Sequence, residues 1–524
     1  MDQRKLRWTE LVKDLATLTS MTALGSRVGA TQKEVSRWIK GNAEPQGDHA
    51  QALLDECTDR GINWRNYLGL EPVYDFRSSF EKNVRLGPQG LSPKLYDGGP
   101  KVPTRVWDRT LNSPIGVPSS VLTINSTWIR PFTNLGFDII TAKTVRTRLV
   151  PPHPLPNAAY LPDLNKPLPI GHLPAAIRGV PDLPDDSVAK ISLANSFGVP
   201  SPSPKEWQED MQTSLGLLKN GQILIASIVG TASGRENELI ADFVKCAQLA
   251  KEVKPHAIEL NLSCPNVYGQ EGSVYKDADL SARICKRVAA ELKGTKILIK
   301  IGYLNPNELR KLFSGTHKFV DGYTAINALP GRIVSEGQQK ELVFPRSEHY
   351  EAGISGVAIR EYALETVRTL RKLSDETKRP EIVIIGVGGI SSAEDVTTFQ
   401  NAGANCVQIC TAALFNPLVA LEIRKQLAQR GNTPARSRFL DRSGGSPPFS
   451  DRAIAQAFDN LVEACRDEGV DLFQGMDILR ECWLDRYTAD LTSVSQSPGS
   501  PDKTRRDPPS RVQIRDWLRR ELKS

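Results

Sequence analysis

The chain has 524 residues, 40% hydrophobic and 24% charged, with Lys+Arg 67 against Asp+Glu 60 for a net charge of +7. That composition excludes a wholly disordered chain, and so small a net charge does not by itself argue for nucleic acid. No apolar run approaches the roughly 18 residues that a membrane helix needs. The opening MDQRKLRWTELVKDL lacks the apolar core of a secretory signal. A cytoplasmic protein with no membrane partner is therefore expected. The eight cysteines include no C-x-x-C and the six histidines no H-E-x-x-H. Those spacings argue against a disulfide framework, a Cys-rich zinc site or an iron–sulfur motif, and no metal site is expected.

Residues 1–65 read as a small all-helical domain. Thr31 and Glu34 have the T-x-x-E spacing of a capping box, which starts a helix just after Thr31. Val35 and Trp38 fall three apart and face a core, leaving Gln32, Lys33, Ser36 and Arg37 free to meet a groove. The stretch Leu24–Trp38 resembles the helix-turn-helix of phage repressors. That resemblance implies duplex DNA as a partner of those four residues, although such modules also serve as protein-binding units. Through Lys40 there are eight Lys/Arg against four Asp/Glu, and residues 41–65 add two basic residues against five acids. Attraction to phosphates is thus modest, and DNA binding would need a dimer and base contacts.

A linker and barrel entry occupy 66–112, Pro- and Gly-rich around 87–103. Eight short strands are then expected over 113–430: PIGV (114–117), FDIITA (137–142), ILIASIV (223–229), AIELNLS (257–263), KILIKIG (296–302), GYTAIN (322–327), IVIIGV (382–387) and CVQIC (406–410). Each is nearly apolar throughout, as strands buried on both faces should be, and helix-like segments separate them. Repeated βα units of this number predict an α/β fold, a (β/α)8 TIM barrel with an N-terminal helical domain and a helical C-terminal extension. The excess length lies mostly in a proline-rich insertion at 146–187. A linker at 431–450, a helical extension at 451–493, and a low-complexity linker with a short basic helix at 494–524 complete the chain.

In such a barrel the active site forms at the C-terminal ends of the strands. After the seventh strand comes GVGGIS (386–391), with Gly388, Gly389 and Ile390; after the eighth comes Cys410-Thr411 at the start of a helix-like run. Glycine lets backbone amides approach a phosphate, so this pair of loops reads as a phosphate site. After the fourth strand stands Asn261-Leu262-Ser263-Cys264-Pro265-Asn266.

ELNLSCPN, together with SPIGVPSSVLT (113–123), ITAKTVRT (140–147), ANSFGVPS (194–201), ILIKIG, AIN (325–327) and IIGVGGI, resembles the dihydroorotate dehydrogenase family. The likeness is strongest to its cysteine-using branch and to the related dihydropyrimidine dehydrogenases. It implies an FMN-dependent barrel that oxidises a dihydropyrimidine or reduces the corresponding pyrimidine in pyrimidine metabolism, as a homodimer. It assigns Cys264 as the base facing the flavin across the substrate, a role a thiol can fill where its surroundings favour the thiolate. Asn195, Asn261, Asn266 and Asn327 become the clamp on the cyclic imide, each offering donor and acceptor. Phe197, Gly198 and Val199 lie beside that clamp, with backbone amides from the last two. Lys143, Lys300, Ser119 and Ser120 fall to the flavin, where a cation would stabilise the charge of the reduced ring.

Three features depart from the family pattern: Ala328 where a hydroxyl residue usually follows the last asparagine, Ser120 in place of a common glycine, and the long insertion. The electron acceptor is left open: fumarate is the one that resemblance to the stand-alone cysteine branch suggests, and an NAD-coupled version would need a partner subunit, since no iron–sulfur motif is present. A different class of function is a DNA-binding regulator whose flavin barrel senses a pyrimidine or redox state; Cys264 and the four asparagines favour the enzyme.

Overall fold

The computed structural model describes residues 3–60, 72–88, 91, 98–182, 187–231, 235–263, 269–336, 341–344, 351–432, 460–461, 463–465, 467 and 510–521. The chain divides into two compact units, Met1–Gln426 and Leu427–Ser524. In the second, a helix at Arg511–Glu521 begins with Arg511 gripping Asp467 through Nε (2.7 Å) and Nη2 (2.5 Å), with Glu463 at 3.2 Å.

The first unit opens with helices α1 (Gln3–Leu18), α2 (Met21–Val28), α3 (Gln32–Ile39) and α4 (Gly47–Asp59). Leu11, Leu15, Leu24, Val35, Trp38 and Leu53 close a common core among them. The turn between α2 and α3 packs tightly: a Cβ on Gly25 would lie 2.6 Å from the Ala30 carbonyl oxygen. The capping box forms, with the Glu34 amide donating to Thr31 Oγ1 (3.2 Å) and the Thr31 amide to Glu34 Oε2 (2.8 Å). Gln32, Lys33 and Arg37 are exposed and Ser36 is half-buried, while Val35 and Trp38 point inward.

After α5 (Phe80–Leu86) comes a hairpin, β1 (Thr104–Val106) and β2 (Arg109–Leu111). Val106, Leu111 and Trp107 pack against the interior of the barrel at the N-terminal ends of its strands. The barrel is closed and parallel: β3 (Ile115–Val117), β4 (Ile139–Val145), β8 (Ile223–Ile228), β9 (Ala257–Asn261), β10 (Lys296–Ile301), β11 (Gly322–Ala325), β15 (Val383–Val387) and β16 (Cys406–Gln408). All eight expected strands are present, in chain order around the barrel. Around them run α6 (Ser126–Asn134), α7 (Pro204–Gly216), α8 (Glu236–Glu252), α9 (Ala278–Glu291), α10 (Pro306–Thr316), α11 (Arg360–Glu376), α12 (Ala393–Asn401), α13 (Thr411–Phe415) and α14 (Val419–Asn432).

The strand list leaves out a second, antiparallel sheet ordered β12 (Leu329–Gly331), β14 (Ala352–Gly356), β7 (Ser192–Asn195), β5 (Ala158–Tyr160). The proline-rich insertion supplies β5 to it, and contributes β6 (Ile177–Arg178), which pairs in parallel with β13 (Ile333–Val334). These strands are two to five residues long, too short to carry an alternating pattern that sequence could reveal.

Register partners on adjacent parallel strands share a face, so the interior is read off the pairing. Ile139, Ala257 and Cys406 form a low layer, and Ile225, Leu298 and Ile385 the next. Above them the interior turns polar with Thr141, Glu259, Thr324 and Gln408, one from every second strand. That alternation is the layer rule of TIM barrels.

Beneath the barrel wall, Arg424 of α14 meets Asp138 at 3.1 Å, both side chains at most 3% exposed. Ser113 (2.6 Å) and Gln222 (3.1 Å) also donate to that carboxylate. Burial pushes the Asp138 carboxyl up, opposed by Ser113 and Arg424. Removing one member strands a buried charge, so Arg424→Met should cost about 3–5 kcal/mol in a denaturant titration. A loss within about 0.5 kcal/mol would mean the pair is no more than a surface contact.

Candidate functional site

One open pocket of about 1320 Å³, its mouth included, sits at the C-terminal ends of the barrel strands. Fifteen of the expected residues line it: Ser119, Ser120, Lys143, Asn195, Phe197, Gly198, Val199, Asn261, Lys300, Asn327, Gly388, Gly389, Ile390, Cys410 and Thr411. Cys264 and Asn266 lie outside the described residues. The sequence reading missed Thr144, Gln408, Ser355 and Gly356, which also line the pocket. The signal for Gln408 was a polar side chain within the nearly apolar run 406–410, whereas Thr144 falls just beyond the expected strand at 137–142. Ser355 and Gly356 belong to β14, which no pattern announced.

The floor is a hydroxyl and amide network. Ser119 and Thr144 share a hydrogen bond at 2.9 Å, and Thr144 shares another with Ser227 at 3.0 Å. The Thr144 amide donates to Ser119 Oγ (2.8 Å), fixing that serine over the end of β4. Asn261 Nδ2 donates to Thr144 Oγ1 (3.1 Å), and its Oδ1 accepts from the Ser263 amide (3.2 Å). Asn195 Nδ2 donates to the Gly353 carbonyl across the antiparallel sheet (3.2 Å). Asn327 donates to the Ser263 carbonyl and accepts from the Ala328 amide (2.9 Å). Each amide is thus oriented by backbone or hydroxyl partners.

Lys300 is only 5% exposed, its side chain rising from the barrel interior beside Asn261 in the neighbouring strand. Lys143 is half-buried on β4. Desolvation pushes the Cys410 thiol up, while Ser120 and the Lys300 and Lys143 cations pull it back. Both cations thus act on Cys410 at the end of β16, where they favour negative charge.

The loops after β14 and β15 form a backbone cradle. Gly389 has φ 66°, and a Cβ there would come within 2.9 Å of the Gly356 carbonyl oxygen. Arg360 holds the Gly389 carbonyl through Nε (3.0 Å) and Nη2 (2.7 Å) and pairs with Asp395 at 3.0 Å. Asp395 also accepts from the Ser391 (2.8 Å) and Ser392 (3.0 Å) amides. The Arg360 and Asp395 side chains thereby pin the loop after β15 to the start of α11.

The rim comes from the antiparallel sheet and the insertion. The His153 amide donates to the Phe197 carbonyl (3.0 Å), and the Ser196 amide to the Asn157 carbonyl (2.8 Å). Asn157, 2% exposed, donates to the His153 carbonyl at 2.9 Å. The insertion is therefore stitched to the loop carrying Phe197, Gly198 and Val199, and Ala158 reaches the pocket itself.

A glycine cradle, apolar walls, the buried Lys300 with the half-buried Lys143, and the asparagines fit a phosphorylated flavin beside a small imide. Gly389→Ala would combine a left-handed backbone with a clash, a strain of roughly 1–3 kcal/mol. FMN affinity measured by fluorescence quenching should fall about tenfold or more. Unchanged affinity would remove the cradle from the cofactor site.

Residues 183–430 match the dihydroorotate dehydrogenase family profile. A dihydroorotate dehydrogenase of Dictyostelium discoideum is 30% identical over 363 residues, covering 67% of this chain and 96% of that relative. A dihydroorotate dehydrogenase B (NAD(+)) catalytic subunit of Archaeoglobus fulgidus is 30% identical, covering 45% of this chain and 73% of the relative. A dihydroorotate dehydrogenase A (fumarate) of Limosilactobacillus reuteri is 32% identical, covering 39% and 61%. Among solved structures, a ligand-free DHODH from Eimeria tenella shares the fold at a TM-score of 0.52 with 16% identity, over 67% of this chain and 93% of that one. With the barrel and pocket described above, these likenesses place the chain in the dihydroorotate dehydrogenase family, as an oxidoreductase whose cofactor is FMN.

Proposed function

We propose that the pocket oxidises dihydroorotate, or a closely related dihydropyrimidine, to the unsaturated ring. The observation that carries this reading is convergence. Lys143, Asn195, Asn261, Lys300 and Asn327 come from separate strand ends and meet in one pocket with the Gly388–Gly389 cradle. FMN, when bound, supplies the acceptor for the hydride that leaves one ring carbon. The chain's own residues do the rest. The Cys264 thiolate takes the proton from the adjacent carbon, alpha to the carbonyl. Asn195, Asn261, Asn266 and Asn327 hold the imide edges so that this carbon presents its C–H to Cys264, and the Gly198 and Val199 amides add donors. Lys300 and Lys143 place positive charge where electron density accumulates.

The test is anaerobic mixing of the FMN-loaded protein with dihydroorotate while flavin absorbance is followed. Bleaching is expected in the wild type, slowed on the order of 10²–10⁴-fold in Cys264→Ala, the usual contribution of a general base. Equal rates in the two proteins would take the base role away from Cys264. Bleaching by dihydrouracil alone would move the substrate to the related pyrimidines.

One observation favours a second activity for residues 1–65, which we take as a separate module joined through 66–112. Gln32, Lys33 and Arg37 lie exposed on α3 while Val35 and Trp38 anchor it, the display that a groove-reading helix requires. We assign duplex DNA as the partner and a homodimer as the bound form, because the near-neutral module needs two half-sites. The flavin barrel would then serve a regulator as its sensor. A gel shift of the full chain at fixed salt should weaken in Arg37→Ala, by about 1–3 kcal/mol if that residue reads a guanine. No enriched sequence in a genomic pull-down, with no effect of Arg37→Ala, would make the module a protein-binding element.

A further inference from the structure

The polar layer inside the barrel carries an inference that is independent of the substrate. Glu259, Thr324 and Gln408 are 0%, 0% and 1% exposed, and each projects into the interior at the same level. Glu259 Oε1 accepts from Ser227 Oγ at 3.0 Å, and Gln408 Nε2 donates to Thr141 Oγ1 at 2.8 Å. Three atoms of this layer have no hydrogen-bond partner among the described residues: Glu259 Oε2, Thr324 Oγ1 and Gln408 Oε1. Buried polar atoms are rarely left so, and three on one level of one interior are not independent accidents. They comprise two acceptors and one hydroxyl. A water molecule complements that set, donating to the carboxylate and amide oxygens and accepting from the threonine, which is the usual three-bonded state of a buried water.

We propose that the barrel core holds one ordered water bound by Glu259, Thr324 and Gln408. A metal cation is the less favourable occupant. On β10, Leu298 is the register partner of Glu259, and the next interior position upward is Lys300, which would set a second positive charge beside the first. The water has a consequence for the pocket above it. Gln408, Thr144, Ser119 and Asn261 all line the pocket. Glu259 reaches Thr144 through Ser227, and Thr144 reaches Ser119 and Asn261. With the water in place, Gln408 on one side of the floor joins that chain on the other.

The experiment is Thr324→Val in the full chain, nearly isosteric and lacking only the hydroxyl, compared with wild type by thermal denaturation. If the hydroxyl bonds a water, its loss lowers the midpoint, on the order of 2–4 °C. If the hydroxyl is an orphan in a dry core, removing it raises the midpoint or leaves it unchanged, and either result overturns the proposal. A wild-type crystal structure at high resolution decides independently of whether the variant folds. The expected result is a single peak within about 3.2 Å of all three atoms. A direct bond between two of the three side chains, or a peak with cation distances of about 2.3–2.6 Å, overturns it.

Discussion

The closure of eight parallel strands into one barrel is the constraint on which the rest of this molecule depends. Closure fixes which residues enter the interior, since partners in register share a face and every second residue points inward. Ile225, Leu298 and Ile385 then have to pack against each other. Two residues further along the strands, Ser227, Lys300 and Val387 come to the pocket end. Ser113, Gln222 and Arg424 all converge on Asp138, the residue immediately before β4, so that the N-terminal rim is held by a buried charge pair with its hydrogen bonds satisfied.

Polarity therefore changes along the barrel axis. The lower layers are apolar and plugged by the hairpin around Trp107. Thr141, Glu259, Thr324 and Gln408 form the transition, and the pocket floor of Ser119, Thr144, Asn261 and Lys300 rests on it. An apolar base gives the dense packing that resists distortion. A polar layer above it lets the floor's hydroxyls and amides be oriented from below, so a ligand meets groups already aimed. In a site of low dielectric such preorientation counts for more than the number of contacts.

The rim follows a different logic. Loops at the top of the barrel need backbone partners, and the chain provides them with short antiparallel strands drawn from three distant segments. The insertion at 146–187 supplies β5 and, through His153 and Asn157, hydrogen bonds to the loop bearing Phe197. The segment that looks in sequence like surplus length is thus a structural wall of the pocket.

The amino-acid sequence by itself determined the barrel, because strands buried on both faces must be short apolar runs, and eight such runs separated by helical segments leave few other architectures. It also marked most of the pocket: the glycine loops after the last two strands by their position, and the asparagines and lysines by resemblance to the dihydroorotate dehydrogenase family. Capping at Thr31 and Glu34 was legible as a local interaction spanning three residues. Only the tertiary structure decided what depends on distant segments meeting. Strands as short as β6 and β13 exist because a partner lies beside them, and their two residues each carry no period to read. Gln408 and Glu259 are polar residues in nearly apolar strands, and only barrel closure sets them on one level with Thr141 and Thr324. Asp138 and Arg424 are 286 residues apart, and nothing in either neighbourhood announces the other. Pairings of that kind are fixed by the geometry of the closed sheet, which local sequence cannot encode.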